Sequence, residues 1–406
     1  MYLELASKFK NHPQAYDAAQ IIRSCVHCGF CNATCPTFRV LGDELDGPRG
    51  RIYQIKSLLE GQKATVHIQN HLDRCLTCRG CETTCPAGVR FGRLLDLGRH
   101  IVEAQVKRPW RQRLLRWGLR HFVPYPGRIA PWVRLARFVR LGLPKAWVSR
   151  LPPPNQPIWP APAHSRRMLV LDGCVQAVLA PQINAAAAKV LDGLGISLLP
   201  APKAGCCGAL SYHLGAQEDG LIFAKRNIDA WWPYVEQGIE AIVTTASGCG
   251  LMVKEYGQLL TDDPRYAEKA SVVSALVKDI CEVLAGLPKL EQFRPQQSLK
   301  IAFQSPCTLQ HGLRLAGRVE ELLQRLGYEL APVPDAHLCC GSAGAYSILE
   351  SKIAAELRRA KIAALESSHP DLIATANIGC FLYLKPVATR PVIHWIELLA
   401  AGKAAG

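Results

Sequence analysis

Eight cysteines in the first quarter of the chain follow a spacing that can hold iron and sulfur. They fall into two runs of four, and each run ends directly before a proline. The runs are Cys25, Cys28, Cys31 and Cys35, and Cys75, Cys78, Cys81 and Cys85. This C-x2-C-x2-C-x3-C-P pattern ligates cubane [4Fe–4S] clusters, and in two-cluster proteins the fourth cysteine of each run ligates the other cluster. The predicted ligand sets are therefore crossed: Cys25, Cys28, Cys31 and Cys85 on one cluster, and Cys75, Cys78, Cys81 and Cys35 on the other.

Structural zinc and disulfides are the alternative uses of these thiols. Zinc sites usually come as separated Cys-x-x-Cys pairs with four ligands per ion, and disulfide scaffolds belong to short secreted chains. This chain has 406 residues and 17 cysteines, and its N-terminus lacks a charged-then-apolar leader. We therefore expect a cytoplasmic protein whose thiols serve as metal ligands.

A second set of cysteines occurs twice in the later part of the chain, which indicates an internal repeat. The first copy has Cys174, Cys206, Cys207 and Cys249, and the second has Cys307, Cys339, Cys340 and Cys380. Corresponding cysteines are 133, 133 and 131 residues apart, and each Cys-Cys pair is followed by glycine. We expect one or two further iron–sulfur clusters there; the alternative is that these cysteines are small buried apolar residues. Cys281 lies outside both patterns and is expected in the core.

The elements around these cysteines predict an α+β multidomain protein. Residues 51–59 carry apolar side chains at helical spacing, which favours a helical two-[4Fe–4S] domain resembling ferredoxins over residues 1–103. A basic segment and a proline-rich linker follow at 104–166. Two α/β cysteine-rich domains are predicted at 167–290 and 291–406, because apolar runs that end near a cysteine alternate with helices, as in parallel sheets. Side chains that follow the strands then gather at one sheet edge.

The repeated Cys, Cys-Cys-Gly, Gly-Cys arrangement is similar to the cysteine-rich CCG domain. That domain occurs in heterodisulfide reductase, in lactate-utilisation iron–sulfur proteins and in the iron–sulfur subunit of anaerobic glycerol-3-phosphate dehydrogenase. In the heterodisulfide reductase form each domain ends in Cys-x-x-Cys and holds a non-cubane cluster. Here a single cysteine closes each copy, Cys249 or Cys380.

The whole chain resembles the iron–sulfur subunits of glycolate oxidases. The similar strings are SCVHCGFCNATCPTFRVLGDELDGPRGRIY, HLDRCLTCRGCETTCPAGVR, TTASGCG, SPCTLQH, HLCCGSAG and TANIGC. The resemblance implies flavin-containing partner subunits that oxidise glycolate, and electron delivery toward the respiratory quinone pool. A related lactate or glycerol-3-phosphate dehydrogenase subunit, a thiol or disulfide reductase and an iron–sulfur nucleic-acid-binding protein are the competing interpretations. No Gly-x-Gly-x-x-Gly motif occurs, so we expect no flavin or nicotinamide site and no catalytic residue in this chain.

The positive charge is concentrated in one segment. Of the formal +15, residues 104–171 supply fourteen Lys or Arg and no acidic residue. Helical spacing places Arg113, Arg116 and Arg120 on one face and aromatic and aliphatic residues on another. This predicts peripheral contact with an anionic membrane on the cytoplasmic side, with docking to a flavin subunit or a solvated face as alternatives. No nucleic-acid partner is expected.

Other polar residues near the cysteines have less defined roles. His27 and His311 are expected to be ordinary loop and helix residues, although a cluster neighbour or a non-thiolate ligand is the alternative. His337 is a candidate hydrogen-bond donor to sulfur. The charged string Asp43, Glu44, Asp46, Arg49 and Arg51 is either a partner-docking site or a solvated turn.

Overall fold

The computed structural model describes residues 1–10, 13–138, 148, 151–152 and 157–402. The centre of the proline-rich linker and residues 139–147 and 149–150 of the basic segment therefore lie outside the described residues. The chain divides into two compact units. The first contains Met1–Trp117, Ser211–Gln217 and His337–Lys361, and the second contains Gly118–Leu210, Glu218–Ala336 and Ile362–Gly406. The predicted domain boundaries at 103, 166 and 290 stay predictions.

The first unit is helical where the chain is described. Its main helices are Pro13–Ser24, Phe30–Ala33, Pro36–Leu41, Pro48–Leu59, Val66–Asp73, Gly80–Thr84, Phe91–Gln105 and Tyr346–Leu349, with short 3-10 turns at Ser7–Phe9 and Glu44–Asp46. The helices Trp110–Phe122, Ala209–His213, Gln217–Glu236 and Ser351–Glu366 run from one unit into the other.

The helix Pro48–Leu59 shows why apolar residues at helical spacing predict a helix here. Pro48 occupies its first turn, where no backbone N–H is required. Ile52, Ile55 and Leu58 are buried and pack into one core with other apolar residues of this unit. The helix that the apolar spacing predicts at 51–59 therefore forms, starting three residues earlier.

The second unit contains two parallel four-stranded sheets of the same topology. The first has the order β2-β1-β3-β4 and the second β6-β5-β7-β8. The strands are β1 Arg166–Val170, β2 Ile196–Pro200, β3 Ile242–Thr244, β4 Val277–Asp279, β5 Lys300–Gln304, β6 Glu329–Leu330, β7 Leu372–Thr375 and β8 Val392–His394. β1 pairs with β2 from Arg166↔Ile196 onward, and β5 pairs with β7 from Ile301↔Leu372 onward. These repeated sheets and the helical first unit confirm the α+β multidomain fold.

Helices surround the strands of the second unit. They are Pro126–Phe138, Val175–Leu179, Gln182–Asp192, Ser247–Lys254, Tyr256–Leu259, Ala267–Leu276, Ile280–Ala285, Arg318–Arg325, Ile378–Leu384 and Trp395–Gly402, with a π-helical turn at Thr308–Gly312 and a 3-10 turn at Leu290–Phe293.

Contacts between the two repeats occur within this second unit. The Ser247 and Thr308 hydroxyls are 2.7 Å apart, and the Gly248 amide donates to Asn377 Oδ1 at 3.3 Å. His394, at the end of β8, is fully buried, and its Nε2 lies 2.8 Å from the carbonyl oxygen of Thr245. Burial lowers the pKa of His394 to about 4, so the neutral imidazole donates this bond. The two repeats share polar as well as apolar contacts.

Candidate metal centres

Two cavities in the first unit are lined by the cysteines of the two runs. The lining of the first cavity includes Cys25, Cys28, Cys31 and Cys85. The lining of the second includes Cys75, Cys78, Cys81 and Cys35. Cys81 also reaches the wall of the first cavity. Both cavities therefore bring the fourth thiol of one run to the first three thiols of the other, and which thiols ligate which cluster stays a prediction.

The two binding loops have the same backbone shape. His27 and Gly29 in the first loop have φ values of 61° and 85°, and Thr77 and Arg79 occupy the matching positions in the second with 54° and 60°. Left-handed backbone costs a non-glycine residue roughly 1–2 kcal/mol, so both loops hold a strained shape that turns their thiols toward a common point. Only one of these four positions carries the glycine that would mark such a turn in a sequence.

The thiols of each set are crowded, and all but the exposed Cys28 are buried or partly buried. Burial, together with the neighbouring Cys25 and Cys85, raises the pKa of Cys31 to about 11. Burial, together with Cys78 and Cys75, also raises the pKa of Cys81. Four thiolates held this close repel one another unless a positively charged core lies between them. The donor set, its geometry and its electrostatics therefore fit a [4Fe–4S] cluster in each cavity.

A buried charge network supports the second cavity. Arg51 and Asp46 side chains are each only 1% exposed, and Arg51 Nη2 lies 3.3 Å from Asp46 Oδ1. Asp46 also pairs with Arg74 at 2.9 Å and contacts His71 Nδ1 at 3.0 Å. Asp46 and Arg51 therefore belong neither to a solvated turn nor to a docking surface. Charge alone suggested an exposed string, and the fold buries these two residues because they pair with each other within a network that also includes Arg74 and His71.

The other charged residues of that string lie nearer the first loop. Arg49 Nε is 2.5 Å from Glu44 Oε1, and both side chains are partly exposed. The Arg49 guanidinium lies close to Gly29, where an added Cβ would come within 2.9 Å of Nη1. Glycine at this position lets the Arg49–Glu44 pair pack against the first cluster loop.

The four thiols of the first repeat lie together in the second unit. A hydrogen bond to the Cys206 thiol, together with burial, raises the pKa of Cys174. Cys206 in turn contacts Cys207, and Cys207 contacts Cys249. All four follow the carboxyl ends of parallel strands: β1 for Cys174, β2 for the Cys-Cys pair and β3 for Cys249. This is a continuous row of thiols with the donor chemistry for a metal cluster.

A glycine shapes the Cys-Cys turn in the same way in both repeats. Gly208 and Gly341 have φ values of 88° and 87°. The Gly208 amide points at Cys206 Sγ at 3.4 Å, and the Gly341 amide points at Cys339 Sγ at 3.5 Å. A Cβ on either glycine would come within 2.7 Å of a backbone carbonyl oxygen. Only glycine allows this turn, which presents an N–H to the first sulfur of each pair.

The cysteines of the second repeat divide between the two units. Cys339 and Cys340 are buried in the first unit, and Cys307 and Cys380 belong to the second. Cys307 follows β5 directly, and Cys380 lies in the helix Ile378–Leu384 after β7. The Asn377 amide lies 3.8 Å from Cys380 Sγ.

The remaining singled-out residues have local partners. Cys281 is fully buried in the short helix Ile280–Ala285, as expected for a core residue. His27 Nδ1 lies 3.1 Å from Met1 Sδ. His311 lies in the π-helical turn after Cys307, and His337 begins the segment that carries Cys339 in the first unit.

Two of the three arginines on the predicted basic face of the helix Trp110–Phe122 pair with carboxylates. Arg116 is only 12% exposed and its Nη2 lies 3.0 Å from Asp73, while Arg120 lies 3.6 Å from Asp219. Trp110 and Trp117 are 67% and 47% exposed. Arg116 thus pairs with the largely buried Asp73, Arg120 lies near the partly exposed Asp219, and Arg113 is exposed. The predicted contact with a membrane or a partner stays a prediction. Helical spacing identifies the faces but not the one that meets the protein.

No helix among the described residues is both long and apolar enough to cross a bilayer.

Comparison with known proteins supports the class of protein that the cysteine geometry indicates. The family model described as a 4Fe-4S dicluster domain matches residues 21–89, and the one described as a cysteine-rich domain matches residues 168–254 and 301–385. The chain is therefore an iron–sulfur protein with two [4Fe–4S] clusters and two CCG-type domains.

Relatives that match along nearly the whole chain define the family. The glycolate oxidase iron-sulfur subunit of Escherichia coli (strain K12) is 53% identical over 98% of both chains. The probable glycolate oxidase iron-sulfur subunit of Bacillus subtilis (strain 168) is 30% identical over 94% of this chain and 91% of its own. This chain belongs to the family of glycolate oxidase iron–sulfur subunits, and it is the electron-transfer subunit of an oxidoreductase complex.

More distant proteins share parts of this architecture. Lactate utilization protein A of Bacillus licheniformis is 25% identical over 56% of this chain and 95% of its own. A hypothetical protein from Helicobacter pylori has a crystal structure that matches 98% of this chain and 74% of its own, with a TM-score of 0.55 and 11% identity. That likeness concerns the fold alone.

Proposed function

We propose that this chain takes electrons from flavin-bearing partner subunits that oxidise glycolate to glyoxylate, and passes them toward the respiratory quinone pool. The observation that carries the proposal is the pair of cysteine-lined cavities, each of which combines thiols of both runs, in a chain that matches a glycolate oxidase iron–sulfur subunit over 98% of its length. Bound [4Fe–4S] clusters supply one-electron redox chemistry tunable over a wide range of potentials.

The ligand assignment is part of this proposal. Cys25, Cys28, Cys31 and Cys85 hold one cluster, and Cys75, Cys78, Cys81 and Cys35 hold the other. The residues of the chain shelter most of these thiols from water, keep them turned toward one point and offset their negative charge. Cys174, Cys206, Cys207 and Cys249, with their counterparts Cys307, Cys339, Cys340 and Cys380, hold further clusters in the two repeats.

Reconstitution with and without partners tests the electron-transfer role. The purified, cluster-loaded chain alone should not oxidise glycolate, and adding the flavin subunits should produce glycolate-dependent reduction of a quinone analogue that requires this chain. Oxidation of lactate or glycerol 3-phosphate in place of glycolate would identify a related dehydrogenase. Unaided reduction of disulfides would instead favour a thiol/disulfide reductase, and salt-sensitive DNA binding would favour a nucleic-acid protein.

We further propose that the protein lies at the cytoplasmic face of the membrane and contacts it through the helix Trp110–Phe122. The outward side of this helix combines the large apolar side chains of Trp110, Leu114 and Trp117 with the exposed cations Arg111 and Arg113. Tryptophan and arginine together suit the boundary between lipid headgroups and acyl chains, and the charge suits anionic lipid.

Vesicle binding tests this surface. Trp110→Ser should weaken pelleting of the full chain with anionic vesicles, because an exposed indole no longer inserts. Ile222→Ser, at a residue of similar exposure (65%) in the second unit, is the control. If Trp110→Ser pellets like the wild type but no longer assembles with the flavin subunit, the surface docks a protein. If neither property changes, the face is merely solvated.

A further inference from the structure

Arg51 is the charged side chain most deeply placed against the second cysteine cavity. It lines that cavity together with Cys35, Cys75, Cys78 and Cys81, and its side chain is 1% exposed. A guanidinium is protonated at any physiological pH. The cavity wall therefore carries a permanent positive charge that water screens weakly.

The position of this guanidinium is fixed by three hydrogen bonds. Nε donates to the carbonyl oxygen of His71 at 2.7 Å, Nη1 to Thr37 Oγ1 at 3.1 Å and Nη2 to Asp46 Oδ1 at 3.3 Å. The backbone of Arg51 lies in the helix Pro48–Leu59, whose core-facing side is buried. The charge is held rigidly, as a group that acts on a cofactor must be.

Thr37 connects Arg51 to a cysteine sulfur. Its hydroxyl accepts from Arg51, donates to the carbonyl oxygen of Asp46 at 2.9 Å and lies 3.3 Å from Cys35 Sγ. A thiolate can only accept, so once Cys35 is a metal ligand its sulfur shares the single hydroxyl proton of Thr37 with the Asp46 carbonyl oxygen. A donor that itself accepts from a guanidinium is polarised and donates more strongly.

Asp46, the carboxylate paired with Arg51, does not by itself cancel this charge. Asp46 is shared between Arg51 and Arg74 and also contacts His71, and the other carboxylate near it, Asp43, is exposed and screened by solvent. Arg79 also lines the second cavity. In the first cavity the arginine in the wall is Arg49, which is partly exposed and paired with Glu44. The two cavities thus differ in the electrostatics of their walls.

We propose that Arg51 raises the reduction potential of the cluster held at the second cavity, chiefly by its buried charge and to a smaller extent by polarising the Thr37 hydroxyl, whose proton Cys35 shares with the Asp46 carbonyl oxygen. A four-thiolate cluster is negatively charged and becomes more negative on reduction, so a nearby cation stabilises the reduced form more than the oxidised one. Charge and hydrogen bonds to sulfur are known determinants of cluster potential. Arg51 acts here as a tuning residue. The inference rests on the proposed ligand sets.

A redox titration of the loaded full chain, followed by EPR, tests this role without any substrate or partner. Arg51→Gln should lower the potential of one cluster and leave the other near its wild-type value. Arg51→Lys keeps the charge and should recover most of the loss. Arg166→Gln, which removes one exposed positive charge from the second unit (45% exposed), should leave both potentials unchanged.

Thr37→Val gives a second measurement if Arg51→Gln does not load its clusters. It removes the hydroxyl and preserves the side-chain shape, so the same potential should fall by a smaller amount. An Arg51→Gln protein with both clusters and unchanged potentials would overturn the proposal. So would an unchanged potential in Thr37→Val when Arg51→Gln cannot be loaded.

The signal is assigned in a Cys28→Ala background, which should retain only the cluster at the second cavity. If Cys28→Ala keeps both clusters, the proposed ligand sets are wrong. The proposed role of Arg51 is refuted by a different result, an unchanged reduction potential of the cluster in the variants described above. Loss of glycolate-dependent activity on reconstitution concerns the proposed function and has no bearing on either measurement.

Discussion

Replacing Asp73 by asparagine should loosen the helix Trp110–Phe122. The Asp73 carboxylate receives Arg108 Nη1 at 2.5 Å and Nη2 at 3.1 Å, and Arg116 Nη2 at 3.0 Å. Burial by itself raises the pKa of Asp73, but the hydrogen bond from Arg108 and the charge of Arg116 outweigh it, so this pKa lies below its ordinary value. The carboxylate is charged and anchors the helix through two arginines.

The magnitude follows from the burial of this triad. Removing one partner of a buried ion pair costs about 3–5 kcal/mol. Arg108 is only 6% exposed but keeps Glu103 at 2.6 Å, which places Asp73→Asn near the lower end. A loss of about 3 kcal/mol raises the population of the locally opened helix roughly a hundredfold, and proteolysis reports that population when reclosing is fast.

The assay is limited tryptic cleavage of the native, loaded protein after Lys107, Arg111 and Arg113. The cleavage rate should rise about a hundredfold in Asp73→Asn. The pKa of Asp73 is lower in the folded than in the unfolded protein, so the stability that Asp73 contributes is complete above its unfolded pKa. It is lost only as the pH falls through the folded pKa. The ratio of the cleavage rates of Asp73→Asn and the wild type should therefore stay constant between about pH 6 and 8. Asp17→Asn, which breaks the exposed pairs with Arg90 and Arg93, should change the rate only a few fold, since such pairs contribute about 0–1 kcal/mol. A rate in Asp73→Asn that matches that of Asp17→Asn would refute the reasoning.

Three further outcomes follow from the cysteine geometry. Cys28→Ala should lose one EPR-detectable [4Fe–4S] cluster while Cys281→Ala keeps both; the reverse result would contradict the ligand sets. Gly208→Ala should lower the iron content of the first repeat, because its Cβ would come 2.5 Å from the Gly220 carbonyl oxygen. Gly238→Ala is the control, with a similar φ of 79° and open space around it. It should cost only about 1–2 kcal/mol of backbone strain. Iron analysis of the fully loaded chain should exceed what two [4Fe–4S] clusters account for, and a content equal to two clusters would limit metal binding to the first unit.

The spacing of residues along the chain predicted several features of the structure. The cysteine runs predicted which thiols line each cavity, because short gaps leave the chain few ways to gather three sulfurs. The apolar runs near Cys174 and Cys307 predicted strands, and β1 and β5 begin within two residues of those runs. Equal offsets predicted two similar sheets, and both have the same strand order.

Other features depend on contacts between residues that are distant in sequence, and spacing could not predict them. A docking site or a solvated turn was expected for Asp46 and Arg51 because charged residues are usually exposed, and only the fold shows that they pair in the core. The left-handed backbone at Thr77 and Arg79 carries no glycine, so its sequence gave no sign of a turn. The inward orientation of Arg116 depends on Asp73, which precedes it by 43 residues.

The hydrogen bond from His394 to Thr245 has a consequence for how such a chain could arise. A protein with one repeat would lack a partner for one side of this bond, and a buried donor or acceptor left without one costs about 1–3 kcal/mol. A single-repeat ancestor would recover the bond only by pairing with a second copy, so that its folded state would depend on its concentration. Duplication and fusion would turn that pairing into an intramolecular contact that no longer depends on concentration.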